Sequence, residues 1–439
     1  MKNVLGFVCV ECSRTYSISE VEYVCPDCDG NLDIVYDYDR IGKQFNKRSL
    51  AANRDLTMWR YRALLPIAET SDVPPLALGW TPVYDCPRLA HEYGVGKLLI
   101  KDEGRNPTGS LKDRPSALAV VKAREAGKDV IATASSGNAG SALAGMCASM
   151  QMKSVIFVPC NTPPAKLAQL QVYGASVALV DGTYDEAFDL CLGASRRFDW
   201  YQRNTGYNPY MTEGKKTAAL EIAEQLHWQV PDKVFVSVGD GCIIGGLWKG
   251  FCDLYQLGFI EPLPQMIGVQ AQNASPIVTM LNRDAPASAD EARTIADSIC
   301  VAKPRDATKA IRAIRESEGF GVKVSDDEIL TAAGELARAT GVFVEPSSAA
   351  AFAGLIKCGQ TGSVRSEDSV LVVLTGNGLK DVGAVLRTWQ PPFRYSPDLS
   401  AFEDEFKKNS FDFHLSQRHR SIFRPVARKE TEGSSVGGS

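Results

Sequence analysis

Four cysteines near the beginning of the sequence have a spacing suited to metal binding. Two Cys-x-x-Cys pairs, Cys9 with Cys12 and Cys25 with Cys28, are separated by twelve residues. Such spacing lets two tight turns each present two thiolates to one tetrahedral Zn²⁺. A site closed by four thiolates leaves no open position, so we expect a structural zinc ribbon over residues 1 to 36. The alternative is four free thiols in an N-terminal arm.

The remaining eight cysteines are scattered singly among apolar residues, which favours core positions. The chain has four histidines, and none of them pairs with another at the spacing of helical metal ligands. We therefore expect no catalytic metal.

One lysine follows a Pro/Gly turn in residues 106 to 114 (NPTGSLKDR). Lys112 would stand at the beginning of a helix, where the positive helix end and partial burial lower the pKa of an amine. An amine with a lowered pKa is suited to forming a Schiff base with a carbonyl compound. A solvated surface lysine is the alternative, and this segment taken alone favours it.

Small residues also occur at a second point where a predicted strand should be followed by a helix. Ser135, Ser136 and Gly137 precede an apolar helical stretch. Their backbone amides and hydroxyls would form an anion site at the helix start, suited to a substrate carboxylate. As a helix cap alone, the segment would be unremarkable.

Two glycine-containing segments lie further along the chain. Residues 238 to 246 (VGDGCIIGG) can hold a phosphate through backbone N–H groups. Ile244 stands where a Rossmann fingerprint has its third glycine, and this loop lacks the Walker Gly-Lys-Ser/Thr. In residues 375 to 381 (TGNGLKD), Thr375 would bring a hydroxyl to the end of the last strong strand.

The elements that must position these residues alternate between short apolar strands and helices. The strand candidates are apolar on both faces, as buried parallel strands are. They are residues 97 to 101, 129 to 135, 154 to 159, 176 to 180, 233 to 238, 266 to 271 and 370 to 375. Helical spacing of apolar residues occurs at 111 to 126, 138 to 150 and 164 to 172. This alternation predicts an α/β fold with ligands at the carboxyl ends of the strands.

The composition excludes several classes of protein. The chain has 439 residues, of which 44% are hydrophobic and 23% are charged, so it is not disordered throughout. A net charge of -4 gives no overall attraction to nucleic acid or to an acidic membrane. No run approaches the roughly 18 apolar residues of a membrane span. The start lacks the apolar core of a signal peptide, so we expect a reduced, cytoplasmic protein.

The motifs together resemble the fold-type II pyridoxal phosphate enzymes, and most closely the threonine synthase family. NPTGSLKDR, SSGN, the glycine loop, EPSSAA (345 to 350) and TGNGLKD occur in that order over about residues 75 to 390. The two-knuckle ribbon also occurs in many threonine synthase-like sequences. The resemblance implies two α/β lobes with the cofactor between them.

The expected domains follow from this resemblance. A connecting segment of residues 37 to 80 would join the ribbon to a catalytic domain of residues 81 to 400. Its smaller lobe would span about 97 to 205, and a tail of residues 401 to 439 would be disordered at its end. Family members are often dimers, so a homodimer is expected.

The resemblance also implies roles for individual residues. Lys112 would hold pyridoxal phosphate as a Schiff base, Asn138 would hydrogen-bond its phenolic oxygen, and Thr375 would contact its pyridine nitrogen. The loop would bind the cofactor phosphate through Gly239, Asp240, Gly241, Cys242 and Ile243. The implied reaction is that of a lyase, which converts O-phospho-L-homoserine and water to L-threonine and phosphate.

Three departures from the family pattern lie on the substrate side. Met211 stands where an arginine that grips the substrate phosphate is common, Ala139 stands where threonine is frequent, and Pro115 stands where glycine is usual. The residues that could compensate are Arg203, Asn204, Thr205, Lys215 and Lys216. The alternative enzyme is a relative that performs β-elimination or β-replacement on a serine, cysteate or diaminopropionate derivative.

A binding module in which the ribbon recognises nucleic acid is a third hypothesis. The ribbon has an excess of acidic residues, with Glu11, Glu20 and Glu22 among them, over Lys2 and Arg14. Phosphate binding by such a surface is unfavourable. We therefore expect a small-molecule substrate and no nucleic-acid partner.

Overall fold

The computed structural model describes residues 1 to 283, 292 to 386 and 394 to 409. The chain divides into two compact units, Met1–Thr388 and Trp389–Ser439. The strands of the first unit are β1 Val4–Cys9, β2 Thr15–Tyr16, β3 Leu32–Tyr36, β4 Val83–Asp85, β5 Lys97–Asp102, β6 Val130–Ala134, β7 Lys153–Pro159, β8 Ser176–Val180, β9 Tyr201–Gln202, β10 Lys233–Ser237, β11 Gln265–Ala271, β12 Gly321–Val324 and β13 Ser369–Leu374.

Helices follow most of the strands of the first unit. They are α1 Tyr38–Gly42, α2 Lys47–Ala52, α3 Pro87–Tyr93, α4 Asp113–Glu125, α5 Asn138–Ser149, α6 Pro164–Val172, α7 Tyr184–Phe198, α8 Tyr210–Gln225, α9 Cys242–Gln256, α10 Pro276–Arg283, α11 Ala307–Glu316, α12 Asp326–Thr340, α13 Pro346–Thr361 and α14 Val382–Val385. Short 3-10 helices occupy Met58–Leu64, Glu103–Arg105, Asp297–Ile299 and Gly378–Asp381.

The larger of the two parallel sheets has six strands in the order β12-β11-β10-β13-β5-β4. All neighbours are parallel except the edge pair of β4 and β5. The central strands β10 and β13 are buried on both faces, which explains their continuous runs of valine, leucine and phenylalanine. The predicted α/β architecture is confirmed.

The smaller sheet has four parallel strands in the order β8-β7-β6-β9. The expectation that the smaller lobe begins near residue 97 needs a correction. Residues 97 to 102 form β5, which pairs with β13 in the six-stranded sheet. The smaller sheet begins only at Val130. The apolar run of β5, LLI, accounts for the burial of this strand but does not determine which sheet it joins.

The N-terminal region is a three-stranded antiparallel sheet in the order β2-β1-β3. It does not have a core of its own. Phe7, Leu32 and Tyr36 of the ribbon belong to the same cluster of buried residues as Trp59 of the connecting segment and Val236 of β10. The ribbon is therefore packed onto the larger lobe through shared apolar contacts.

The second unit is described over residues 394 to 409. It contains the helix α15, Leu399–Asn409. Within this unit, the rings of Tyr395 and Phe402 make an edge contact with centroids 4.9 Å apart. The predicted disorder at the end of the tail concerns residues outside the described part of the chain.

Candidate active site

A cleft at the carboxyl ends of β10 and β13 brings together most of the residues that the sequence analysis selected. Its empty volume is about 500 Å³. It is lined by Lys112, Asn138, Thr205, Ser237, Val238, Gly239, Asp240, Gly241, Cys242, Ile243, Ile244, Ser298, Ile299, Glu345, Ser347 and Thr375. Ligands of α/β proteins bind at such strand ends, so this cleft is the candidate active site.

A larger groove, with an empty volume of about 1320 Å³, is lined by the first residues of the chain and by residues 62 to 70. Three of its four charged side chains, Lys2, Arg62 and Glu69, have partners. Lys2 pairs with Glu69 at 3.0 Å, and Arg62 donates hydrogen bonds to backbone carbonyls. Size alone therefore does not identify the active site.

Lys112 stands at the N-cap of α4, as predicted from the Pro/Gly turn. Leu111, its neighbour, donates a backbone hydrogen bond to the carbonyl oxygen of Thr375 at 2.9 Å, which ties this turn to the end of β13. No described residue forms a hydrogen bond or ion pair with the Lys112 amine. Burial and the nearby Arg203 guanidinium lower the pKa of Lys112. An amine with a lowered pKa and no partner among the described residues is suited to covalent attachment to an aldehyde.

The helix that carries Lys112 is held by a buried network of charges. Arg114 donates to both carboxylate oxygens of Glu103 at 2.7 Å and to both of Glu221 at 2.6 Å. Lys101 adds a contact of 3.0 Å to Glu221. All four side chains are fully buried. The network joins α4 to α8 and β5, so it orients the start of α4.

The glycine loop leads from β10 into α9. Gly241 has a φ of +99°, a conformation that glycine adopts far more readily than other residues. A Cβ at Gly241 would lie 2.6 Å from the carbonyl oxygen of Asp306. Among the hydrogen bonds of the described residues, none has a donor in the backbone N–H groups of residues 239 to 243. These groups and the positive end of α9 form a cradle that fits a phosphate.

Asn138 is the first residue of α5 and is buried. Its amide nitrogen donates to the two carboxylate oxygens of Glu345 at 2.7 and 3.0 Å. Burial raises the pKa of the Glu345 carboxyl to about 7. Glu345 is thus a group inside the cleft that can bind and release a proton near neutral pH.

Thr375 lies at the end of β13 and contacts a second hydroxyl. Its Oγ1 atom is 3.1 Å from Oγ of Ser348, and Ser348 Oγ accepts a hydrogen bond from the Gly376 N–H at 2.6 Å. A Cβ at Gly376 would come within 2.5 Å of Glu345 Oε1. Glycine is therefore required at this position for Glu345 to reach Asn138.

Ser136 and Gly137 line an adjoining cavity of about 330 Å³ together with Asn138 and Lys380. Ser135 stands at the end of β6, and its Oγ accepts a hydrogen bond from the Gly137 N–H at 3.3 Å. This segment precedes α5, and backbone N–H groups at a helix start can receive a substrate carboxylate.

Some residues of the cleft were not selected from the sequence. Ser298 and Ser347 line it, and the N–H group of Ser298 donates to Ser347 Oγ at 3.0 Å. Glu345 lies in the EPSSAA motif but received no role. The sequence does contain a signal for Glu345: its carboxylate comes directly before a proline at a helix start, and that position extends a side chain beyond the first turn.

The comparisons with known proteins agree with this geometry. A family model described as pyridoxal-phosphate dependent enzyme matches residues 75 to 376. The chain belongs to this family. The match covers both parallel sheets and all of the residues that line the cleft. The predicted resemblance is therefore confirmed.

The curated relatives of this pyridoxal-phosphate dependent enzyme include threonine synthases. The protein of Methanocaldococcus jannaschii is 38% identical over 405 residues, which are 91% of this chain and 99% of the relative. The protein of Methanosarcina acetivorans is 39% identical over 399 residues, which are 90% of this chain and 97% of the relative. The chain is accordingly a pyridoxal phosphate-dependent enzyme similar to threonine synthases.

Solved structures support the fold of this pyridoxal-phosphate dependent enzyme. The processed form of threonine deaminase isoform 2 from Solanum lycopersicum aligns with a TM-score of 0.61 and 22% identity, over 80% of this chain and 88% of the other. Maize serine racemase aligns with a TM-score of 0.62 and 20% identity, over 70% and 91% of the two chains. The predicted fold-type II architecture is confirmed.

The four N-terminal cysteines converge in the ribbon of this enzyme. Their Sγ atoms all lie within 4.8 Å of one another, with 3.5 Å between Cys9 and Cys28 and 3.7 Å between Cys12 and Cys25. All four are free thiols. Zn–S bonds of about 2.3 Å in a tetrahedron place sulfur atoms roughly 3.8 Å apart. The cluster therefore has the dimensions of a closed zinc site.

The three departures from the family pattern have different local settings. Pro115 lies in the first turn of α4, where a backbone N–H has no helical acceptor, so proline is tolerated. Ala139 lies in the first turn of α5 and adds no hydroxyl. Met211 is 1% exposed and lines a small cavity of about 210 Å³ beside Cys242.

Within the residues that the structure describes, every helix is too short or too polar to cross a lipid bilayer. The cytoplasmic location and the homodimer stay predictions, as do the remaining domain boundaries.

Proposed function

We propose that this protein converts O-phospho-L-homoserine and water to L-threonine and phosphate. The observation that carries the proposal is the cleft in which Lys112, the glycine loop, Asn138 and Thr375 meet. Threonine synthases that match almost their whole length to this chain support the choice of substrate.

The residues of the cleft fit pyridoxal phosphate. Lys112 would attach to its aldehyde carbon, the N–H groups of residues 239 to 243 would hold its phosphate, and Asn138 would reach its phenolic oxygen. Thr375 would face its pyridine nitrogen. With a neutral hydroxyl there instead of a carboxylate, the cofactor ring would withdraw less negative charge. When bound, the cofactor supplies an electron sink for negative charge that develops on the substrate carbons.

The chain itself would position the substrate and move protons. Ser135, Ser136 and Gly137 would bind the substrate carboxylate at the start of α5. Lys112 Nζ, once released by the incoming amino group, would carry protons between the substrate carbons. Glu345, whose carboxyl has its pKa raised to about 7 by burial, would exchange a proton with a neighbouring group in the same cleft.

We also infer that Cys9, Cys12, Cys25 and Cys28 hold one structural Zn²⁺. The convergence of the four Sγ atoms within 4.8 Å of one another supports this assignment. Four thiolates close the coordination sphere, so the metal would stabilise the ribbon without contacting substrate.

One observation favours a second function. The thioether of Met211 cannot bind a phosphate as a cationic side chain does. An elimination or replacement reaction on an amino acid with a smaller or uncharged leaving group would not need a cation at this position. The serine, cysteate or diaminopropionate derivatives considered above belong to this class.

A single experiment separates the two functions. The cofactor-loaded protein is mixed with O-phospho-L-homoserine, and phosphate and threonine are measured over time, with Lys112→Ala as the inactive control. We expect equal amounts of both products from the wild type and none from the variant, which should also lack the absorption of lysine-bound cofactor. Loaded wild type that releases no phosphate would exclude the first function in favour of the second.

A further inference from the structure

Two buried cations near Lys112 have no carboxylate partner. Arg203 and Lys215 are both 0% exposed. Within the described part of the chain, neither side chain forms an ion pair. Among the residues that the structure describes, the one hydrogen bond of Lys215 Nζ goes to the carbonyl oxygen of Met211, at 3.2 Å.

The guanidinium of Arg203 donates its hydrogen bonds within the described chain to hydroxyl groups. Its Nε atom donates to Ser116 Oγ at 3.1 Å, and Nη1 donates to Thr205 Oγ1 at 2.9 Å. The Nη2 atom is buried and has no hydrogen-bond partner among the described residues. A buried donor that lacks an acceptor costs about 1–3 kcal/mol, and more when the group is charged.

The other fully buried cations of the described residues show the usual arrangement. Lys101 pairs with Glu221 at 3.0 Å, and Lys216 pairs with Asp253 at 2.6 Å. Arg114 forms two bidentate pairs, as described above. Charges in a protein interior normally have such partners, so the arrangement of Arg203 and Lys215 needs another explanation.

The two cations also lie close to each other and to Lys112. The pKa of Lys215 is lowered to about 7, mainly by burial and in smaller part by Lys112 and Arg203. Burial likewise lowers the pKa of Arg203 to about 10. A carboxylate partner would offset this cost, yet neither Arg203 nor Lys215 has one among the described residues. An anion bound beside them would stabilise their charged forms.

Neither cation lines the cleft itself, but residues that line it contact Arg203 and act on the pKa of both. Thr205, which accepts from Arg203, lines the cleft, and so does Cys242 of the glycine loop, whose thiol acts on the pKa of both cations. The N–H groups of the loop can hold the cofactor phosphate without help from a side chain. The two cations are therefore available for a second anion.

We propose that Arg203 and Lys215 form a subsite for the terminal phosphate of an amino-acid substrate held at Lys112. The inference rests on the proposed function, because it assigns the phosphate of O-phospho-L-homoserine to these two residues. Lys215 lies one helical turn after Met211 on α8, so the pair supplies the charge that Met211 lacks. The same chemistry would also bind free phosphate after its release.

The test uses the cofactor-loaded protein and inorganic phosphate as the probe. Arg203→Met and Lys215→Met are compared with Lys153→Met, which removes an exposed lysine of β7. Phosphate should raise the melting temperature of the wild type and of Lys153→Met in a saturable way. Each site variant should bind phosphate about tenfold or more weakly, because a hydrogen bond to a charged group is lost.

Two further measurements distinguish this role from others. If the pair held the cofactor phosphate instead, the site variants would lose pyridoxal phosphate affinity, and the inference would be wrong. If either cation were structural, its methionine variant would melt below the wild type in buffer without phosphate; we expect an equal or higher melting temperature. A wild-type melting temperature that does not change with added phosphate would also overturn the inference.

The outcome of the phosphate-binding test does not depend on conversion of O-phospho-L-homoserine. A wild type that binds phosphate through Arg203 and Lys215 but does not convert O-phospho-L-homoserine would refute only the proposed function. It would leave a phosphate-binding subsite for a different phosphorylated amino acid.

Discussion

The side-chain amide of Asn31 donates a hydrogen bond to the carboxylate of Asp306 at 2.9 Å. Asn31 belongs to the ribbon and follows the last cysteine of the metal cluster, Cys28, by three residues. The N–H group of Asp306 in turn donates to the carbonyl oxygen of Asp240 in the glycine loop at 3.0 Å. Two hydrogen bonds thus connect the ribbon to the loop that is proposed to hold the cofactor phosphate.

Asn31→Ala should therefore weaken cofactor binding although Asn31 lies outside the cleft. We expect a loss of about threefold to tenfold in pyridoxal phosphate affinity, the order of one hydrogen bond. Titration of the absorption of bound cofactor measures it. Asn3→Ala is the matched control, because the Asn3 amide donates to the Ala63 carbonyl at 2.9 Å. Equal affinities in both variants would contradict the connection.

Removal of the metal should have a larger effect through the same contacts. Without zinc, the two thiolate turns lose their cross-link, and the ribbon should lose order together with the Asn31 contact. We expect a chelator to lower both the melting temperature and the pyridoxal phosphate affinity, and added Zn²⁺ to restore them. Metal analysis should find one zinc per chain. A chain free of metal with unchanged stability would refute the zinc assignment.

Glu345→Gln should change the pH dependence of the reaction. The pKa of Glu345 is raised from its ordinary value of 4.5 to about 7, mainly by burial, against the opposing effects of Asn138, Lys380 and Lys112; Asp381 raises it further. The rate should respond to pH around 7 in the wild type and lose that response in the variant, with kcat lower by about a hundredfold or more. Initial rates across pH 5.5 to 8.5 provide the test.

A glutamate outside the cleft serves as the control for this experiment. Glu335 accepts a hydrogen bond from the Tyr93 hydroxyl at 2.8 Å on α12. Glu335→Gln should keep the wild-type rate profile. If the profile of Glu345→Gln is also unchanged, Glu345 does not take part in proton transfer.

Glu221→Gln should destabilise the folded protein strongly. The substitution leaves Arg114 and Lys101 buried with too little negative charge, which costs about 3–5 kcal/mol in buried networks. Urea unfolding measures the change. Glu69→Gln breaks the exposed pair with Lys2, in which the Glu69 side chain is 70% exposed, and should cost at most about 1 kcal/mol. Similar losses in both variants would contradict the structural role of the network.

Lys215→Met should stabilise the protein in a pH-dependent way. Because the pKa of Lys215 falls from 10.5 to about 7 on folding, the unfolded chain binds more protons than the folded chain between these two values. The penalty of the buried charge is complete below pH 7 and disappears as the pH rises toward 10.5. The stability advantage of the variant should shrink across this window, measured in phosphate-free buffer against wild type.

The charged groups that act on Lys215 come from several elements. They are Lys112 at the start of α4, Arg203 after β9, Cys242 at the start of α9 and Asp306 before α11. An advantage that stays constant with pH would mean that Lys215 is not the titrating group.

Much of the fold followed from local patterns. The apolar runs at β10 and β13 could be recognised as parallel strands because both faces of such strands are buried. The assignment of residues 97 to 102 to the smaller lobe failed for the same reason: a short apolar run shows that a strand is buried but not which sheet it joins. Strand order depends on contacts between distant segments, which periodicity does not contain.

The parts of the site that are formed by consecutive residues could be predicted from the sequence. The turn before Lys112, the glycine loop from Gly239 to Ile243 and the paired cysteines are short motifs whose geometry is set by a few consecutive residues. The order of these motifs was enough to suggest the enzyme family.

Only the tertiary structure decided which charges are paired. Arg114 and Arg203 look alike in the sequence, yet one lies between two glutamates and the other lies among hydroxyl groups. Likewise, Lys216 has a carboxylate partner whereas its neighbour Lys215 has none in the part of the chain that the structure describes. Consecutive residues of a helix point about 100° apart, so partners come from whichever distant element packs on each face. Composition and motifs therefore determined the cofactor chemistry, while packing decided where the protein keeps unpaired charge beside it.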